Sequence, residues 1–60
     1  MDTNEIFERL RKIHRNMEYV AWDGCQAAIV YEDLSIMGTS EFGIGTETRN
    51  LLKQFEGKLS

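Results

Sequence analysis

Sixty residues with a formal net charge of −3, one cysteine and no proline describe a single small domain over residues 1–60. They exclude a two-domain enzyme, a dinucleotide fold or a repeat array. The longest apolar run, residues 27–31, is far short of the ~20 residues of a membrane-spanning helix. The opening Met1-Asp2-Thr3-Asn4-Glu5 lacks the basic start and apolar stretch of a secretory signal. A lone Cys25 forms no internal disulfide, and the expectation is a reducing, cytoplasmic setting without membrane attachment.

Charge divides the chain into three. Residues 1–16 carry Asp2, Glu5 and Glu8 against Arg9, Arg11, Lys12 and Arg15, a sum of +1. Residues 17–45 carry Glu18, Asp23, Glu32, Asp33 and Glu41 with no Lys or Arg, a sum of −5. Residues 46–60 return to +1 with Glu47 and Glu56 against Arg49, Lys53 and Lys58. The apolar fraction of 42% with six aromatic rings is that of a globular chain. A chain of this length buries only about 60% of its unfolded surface, so self-association is the expected staple and a homo-oligomer, a homodimer or larger, is predicted.

The first segment reads as an amphipathic helix, with Ile6, Leu10, Ile13 and Met17 at spacings that share one face and Phe7 widening the stripe. Asp2 with Glu5 three residues on resembles a capping box, Thr3 is an alternative cap, and Asn16 is a candidate left-handed terminator. Glu5–Arg9 and Glu8–Lys12 are acid-first pairs one turn apart on the wet side.

The middle admits two readings. In the favoured one, residues 17–22 and 25–31 are strands joined by Asp23-Gly24 in a two-residue type I′ turn, with a third strand over 34–38 after a Glu32-Asp33 turn. In the other, Asp23 caps a helix whose stripe is Ala27, Val30, Leu34 and Met37 and whose end is Gly38. Residues 38–45 hold three glycines with Thr39 and Ser40 and read as a loop. A last helix follows from about 46 to 58, with Thr46 as its cap and Leu51, Leu52 and Phe55 as its apolar patch. The predicted fold is α+β: an N-terminal helix, a central two- or three-stranded antiparallel hairpin or meander, and a C-terminal helix. The alternative is an all-α three-helix bundle. On the hairpin reading residues 27–31 are apolar on both faces, as in a strand covered on two sides. Two short helices cover one face comfortably, so a partner subunit is expected on the other, and Ile6, Phe7, Leu10, Ile13 and Ile29 are assigned to the core or the oligomer interface.

Candidate chemistry is sparse. His14 with Cys25 suggests thiol catalysis, but nothing in their spacing brings them together. A single His on the polar shoulder of a basic helix reads as solvated, and Cys25 as a small side chain beside a tight turn. Glu32-Asp33 lies in a turn without a calcium-loop pattern, and no metal or cofactor motif is present. No catalytic residue is assigned, and the chain is expected not to be an enzyme.

Gly43, Gly45, Thr46, Thr48 and Arg49 form a glycine-rich entry to a helix, a secondary candidate for binding a phosphate or nucleotide. Phe42-Gly43-Ile44-Gly45 also resembles the turn of a helix-turn-helix, although an acidic chain argues against nucleic acid. Tyr19, Trp22 and Tyr31, with Glu32 and Asp33, crowd an acidic segment rich in interface-type aromatics. The leading expectation is a small acidic module of the bacterial or phage accessory kind. It acts as an oligomer through protein–protein contacts and inhibits a larger partner by covering its basic surface.

Overall fold

The computed structural model describes residues 2–59. In chain order these form α1 (Thr3–Ile13), β1 (Met17–Trp22), β2 (Ala27–Tyr31), β3 (Ile36–Gly38) and α2 (Thr46–Leu59). The strands make one antiparallel sheet in the order β1-β2-β3. The α+β layout is therefore the one expected from sequence, with the meander in its three-stranded form. The all-α bundle is not formed, because residues 27–31 pair with β1 and β3 in an antiparallel ladder instead of forming a helix. No helix among the described residues is long and apolar enough to cross a membrane.

α1 starts where its chemistry says it should. The Asp2 carboxylate accepts the Glu5 amide at 2.9 Å, satisfying one of the orphan N–H groups of the first turn. The far end departs from expectation. His14 is the C-cap, its amide donating to the Leu10 carbonyl at 2.7 Å, and Asn16 does not take the left-handed conformation. With the helix stopped at Ile13, Met17 reaches the core from β1 and Ile13 is left 41% exposed.

The β1–β2 connection also differs from the two-residue turn. Trp22 pairs with Ala27, leaving residues 23–26 as the loop. The Asp23 carboxylate accepts the Cys25 and Gln26 amides at 2.9 and 2.8 Å, which holds the chain in an Asx turn. Only Gly24, at φ +92, takes positive φ there, whereas a type I′ turn requires it at both central residues. The β2–β3 turn places Leu34 at φ +68, with the Asp33 carboxylate accepting from the Ser35 amide and hydroxyl. β3 consequently begins at Ile36 and not at Leu34.

Register assigns the two sheet faces. Val20, Ile29 and Met37 form one row across the strands, and Ile29 is fully buried. This face meets both helices. Ile6, Leu10, Met17, Ala27, Ile29, Ile44, Leu51, Leu52 and Phe55 form one cluster, with Phe7 packed on it. The Phe7 and Phe55 rings lie 5.3 Å apart, closing the helix–helix seam. Ile44 enters this core from between Gly43 (φ +82) and Gly45 (φ +93). The glycines supply the two left-handed turns that drive a single isoleucine inward.

The segment before α2 is strand and loop, so the helix-turn-helix geometry, which needs a helix there, is absent. Thr46 is the first helical residue of α2, not its cap.

A core this small depends on each member. Leu10→Ala removes a fully buried side chain at a cost of about 2–5 kcal/mol, against a total stability of about 3–9 kcal/mol for a domain of this size. Its thermal melt, followed by circular dichroism, is expected to fall steeply or vanish. Asp2→Ala is expected to lower Tm by about 4–8 °C, the equivalent of about 1 kcal/mol. A Leu10→Ala protein melting with wild type would place Leu10 outside the core.

Candidate functional site

The second face of the sheet carries the candidate site. Tyr19, Val30 and Ile36 share one row across the strands, and Ala21, Ala28 and Gly38 share the next. Side chains alternate between faces along a strand, so both rows point away from the helices. Val30 confirms the assignment. It is only 4% exposed, yet it does not belong to the helix-side cluster, being sheltered by its neighbours in the row. Those neighbours are open: Tyr19 is 53% and Ile36 66% exposed. The face is thus an apolar ridge beside a row of small residues, with the Gln26 side chain lying close over Gly38 and accepting from the Thr39 and Ser40 hydroxyls.

Acidic groups border the ridge end. The register shifts between Met17 and Tyr19, a bulge that sets Glu18 beside Tyr19 opposite Val30. Glu32 follows β2 at that same end, its amide donating to the Asn16 carbonyl at 2.8 Å. Asp33 lies next to it in the turn. Its hydrogen bonds from Ser35 hold the carboxyl below the usual carboxylate range, and it is fully ionised at neutral pH. Arg11 reaches this end from the helix layer, its Nη2 donating to the Glu18 carbonyl at 3.3 Å.

The expected partner-binding residues are therefore not one patch. Tyr19 lies on the open face, and Glu32 and Asp33 stand at its end. Trp22 pairs with Ala27, on the helix side of the sheet, and is 37% exposed at the hairpin end. Tyr31 pairs with Met17 and points inward. What aromatic spacing could not reveal is that β-strand alternation sends Tyr19 and Tyr31 to opposite faces.

Tyr31 belongs to a network that sequence reasoning missed. Its hydroxyl lies 2.9 Å from His14 Nδ1, and His14 Nε2 lies 2.8 Å from Thr48 Oγ1. The Tyr31 hydroxyl is also 3.7 Å from Met37 Sδ. One imidazole thus ties the end of α1 to β2 and to the first turn of α2. His14 is half-buried and not solvated as expected, because its position as C-cap turns the ring inward over the sheet. Both ring nitrogens are engaged by hydroxyls, and burial raises the Tyr31 pKa, with the Asp33 charge adding to it. The phenol stays protonated. Cys25 is exposed in the hairpin loop, at the opposite end of the sheet from His14, so no thiol–imidazole pair forms.

The glycine-rich candidate fares differently. Gly43, Ile44, Gly45, Thr46 and Arg49 line a shallow depression of about 210 Å³. Thr48 is buried beneath it against His14, and Arg49 Nη2 donates to the Glu41 carbonyl at 3.2 Å. Of the expected anion-binding groups, Thr48 is turned away from the depression. Among the described residues no three His, Cys, Asp or Glu side chains gather as a metal-binding group.

No family model, curated protein or solved structure matches the chain.

Burial lowers the His14 pKa from its ordinary 6.5, which links stability to pH with a defined sign. Between 6.5 and the lower folded value the unfolded chain binds more protons than the folded one. Stability contributed at neutral pH is therefore lost as pH falls below 6.5. Tm is expected to drop between pH 7 and pH 5, and His14→Gln should flatten that drop. A wild-type Tm that is level over this range would remove His14 from the network.

Proposed function

We propose that this chain is a non-enzymatic, cytoplasmic binding module that docks through the open face of its sheet and acts by occluding a site on a larger protein. The observation that carries this reading is the apolar ridge Tyr19–Val30–Ile36, over which no helix or strand among the described residues lies and whose Tyr19 and Ile36 are 53% and 66% exposed. A sheet face built from valine, isoleucine, alanine and tyrosine is buried in ordinary domains. Contiguous apolar patches on small soluble domains mark interaction sites. Among the described residues, the exposed large apolar side chains Tyr19, Trp22, Leu34, Ile36 and Phe42 lie in the sheet or its loops, and Ile13 lies in a helix. The same region holds the whole −5 charge of the chain's middle segment, which steers encounter toward basic surfaces.

A homo-oligomer through this same face is the second reading, and the row geometry favours it. The ridge Tyr19–Val30–Ile36 runs beside the small row Ala21–Ala28–Gly38. A two-fold related copy would lay ridge over small row twice, as an isologous interface requires.

Two measurements test these readings. Ile36→Asp alters a surface position, where substitutions usually change stability by less than about 0.5 kcal/mol, so the variant is expected to fold. In affinity capture from a lysate of the source cell, wild type and Trp22→Ala should retain the same partner and Ile36→Asp should lose it. Equal capture by wild type and Ile36→Asp would end the docking reading. Light scattering at micromolar concentration should give a dimer that Ile36→Asp dissociates if the second reading holds. A monomer at all concentrations would exclude it.

A further inference from the structure

We propose that the occupant of the open face is one short basic amphipathic helix from another protein. The proposal rests on reading this face as a docking surface, and it names what docks. Size is the first ground. Strands of six, five and three residues, spaced about 4.8 Å apart, make a face about 14 Å wide that is about 17 Å long at β2 and about 10 Å at β3. An α-helix with side chains is about 10–12 Å across, and about 11 residues of it span 17 Å. A single helix therefore fills the face. A stable pair of folded domains takes about 800 Å² from each partner, roughly three times what the two rows offer.

Charge is the second ground, and it separates a foreign helix from a second copy. Glu18, Glu32 and Asp33 stand at the ridge end. Arg11 reaches the Glu18 carbonyl from the helix layer, and Arg15 lies in the α1–β1 connection next to Asn16, whose carbonyl accepts the Glu32 amide. Residues 17–45 hold no Lys or Arg. A second copy laid on this face would add further acidic groups to the Glu18, Glu32 and Asp33 border and bring no cation from its own residues 17–45, a disfavoured pairing beside an apolar, weakly screening contact. A helix with apolar residues on one side and Lys or Arg along its flanks meets both needs. Its apolar side packs on Tyr19, Val30 and Ile36, and the space over Ala21 and Ala28 admits its larger side chains. Its cations reach the exposed carboxylates of Glu18 and Glu32, with their stems lying along the ridge. The bulge at Glu18 and the Arg11 contact to the Glu18 carbonyl obstruct the β1 edge, so strand addition there is disfavoured.

The test uses isotope-labelled full-length protein and three synthetic peptides of about 14 residues, near the length at which isolated helices become marginally stable. One is a Leu/Lys amphipathic helix, one keeps the Leu pattern with Glu for Lys, and one scrambles the Leu/Lys order. The first should shift the backbone amides of Tyr19, Ala21, Ala28, Val30 and Ile36 saturably. Its affinity should fall about tenfold from low to high salt. The paired change Glu18→Gln with Glu32→Gln should weaken it several-fold, and Ile36→Asp should abolish it. Amide dispersion matching wild type shows that each variant is folded. Equal binding of the Leu/Glu peptide on the same face would overturn the basic-helix assignment while leaving the docking reading intact. Equal binding of the scrambled peptide, or shifts located on α1 or α2, would overturn it as well. Concentration-dependent shifts of the same five amides without peptide would make a second copy the occupant. If no peptide moves these amides, the proposal falls, and the capture experiment with Ile36→Asp then decides whether the docking reading falls with it.

Discussion

Two helices can blanket one face of a three-stranded sheet, and the side they take determines the rest of the molecule. α1 and α2 both lie on the side of Val20, Ile29 and Met37, and Ile29 at the centre of that row is fully buried. Packing two helices against one face also requires them to meet each other, which Phe7 and Phe55 achieve with rings 5.3 Å apart. The loop from β3 must then descend into the same layer. Gly43 and Gly45 at positive φ allow that descent and seat Ile44 in the core. His14 completes the layer by joining α1, β2 and α2 through the two hydroxyls at its ring nitrogens.

Both helices and the span of β1 are legible in the sequence because each depends on local periodicity. Ile6 and Leu10 recur one turn apart, Leu51, Leu52 and Phe55 do likewise, and the dense β-branched and aromatic residues of 17–22 mark a strand. The double-sided apolar character of Ala27–Tyr31 is equally legible, and it leads to the open face. The misreadings share one cause, since each depends on a side chain whose partner lies elsewhere. Asp23-Gly24 reads as a two-residue turn until the Asp23 carboxylate is seen accepting two amides. Tyr31 reads as a surface aromatic, and Thr48 as a phosphate donor, until His14 stands between them. These three residues are spaced by seventeen positions each way, and no local pattern links positions so far apart. The glycine-rich run misled because glycines serve a buried isoleucine and a bound anion through the same conformational freedom.

The sheet treats its edges and its open face differently. β1 is bulged at Glu18, and Arg11 Nη2 donates to the Glu18 carbonyl on that strand. The other edge, β3, is three residues long. Bulged and short edge strands are the devices by which natural sheets avoid unwanted strand pairing. The face between these edges has no comparable protection. Its ridge holds no charge and no proline, and its nearest polar cover is Gln26 over Gly38. A sheet that blocks its edges and leaves its face apolar is suited to layer-on-layer packing. That distinction favours a helix laid on the face over a strand added to the side.

Leu34 carries this argument into the turn. It holds φ +68 and is 76% exposed, a conformation that costs an ordinary L-residue about 1–2 kcal/mol and an environment that rewards a polar side chain. Asparagine or glycine would suit both conditions better. The polar requirements of this turn are already met by Asp33, which accepts both hydrogen bonds from Ser35. Leu34 therefore breaks two local preferences with no internal compensation, two residues before Ile36 and beside the Glu32-Asp33 pair. Positions that conflict with local rules concentrate where function sets the residue. An apolar side chain held out beside two carboxylates repeats the chemistry of the ridge and its border, and it supports a docking surface that runs past the sheet into the β2–β3 turn.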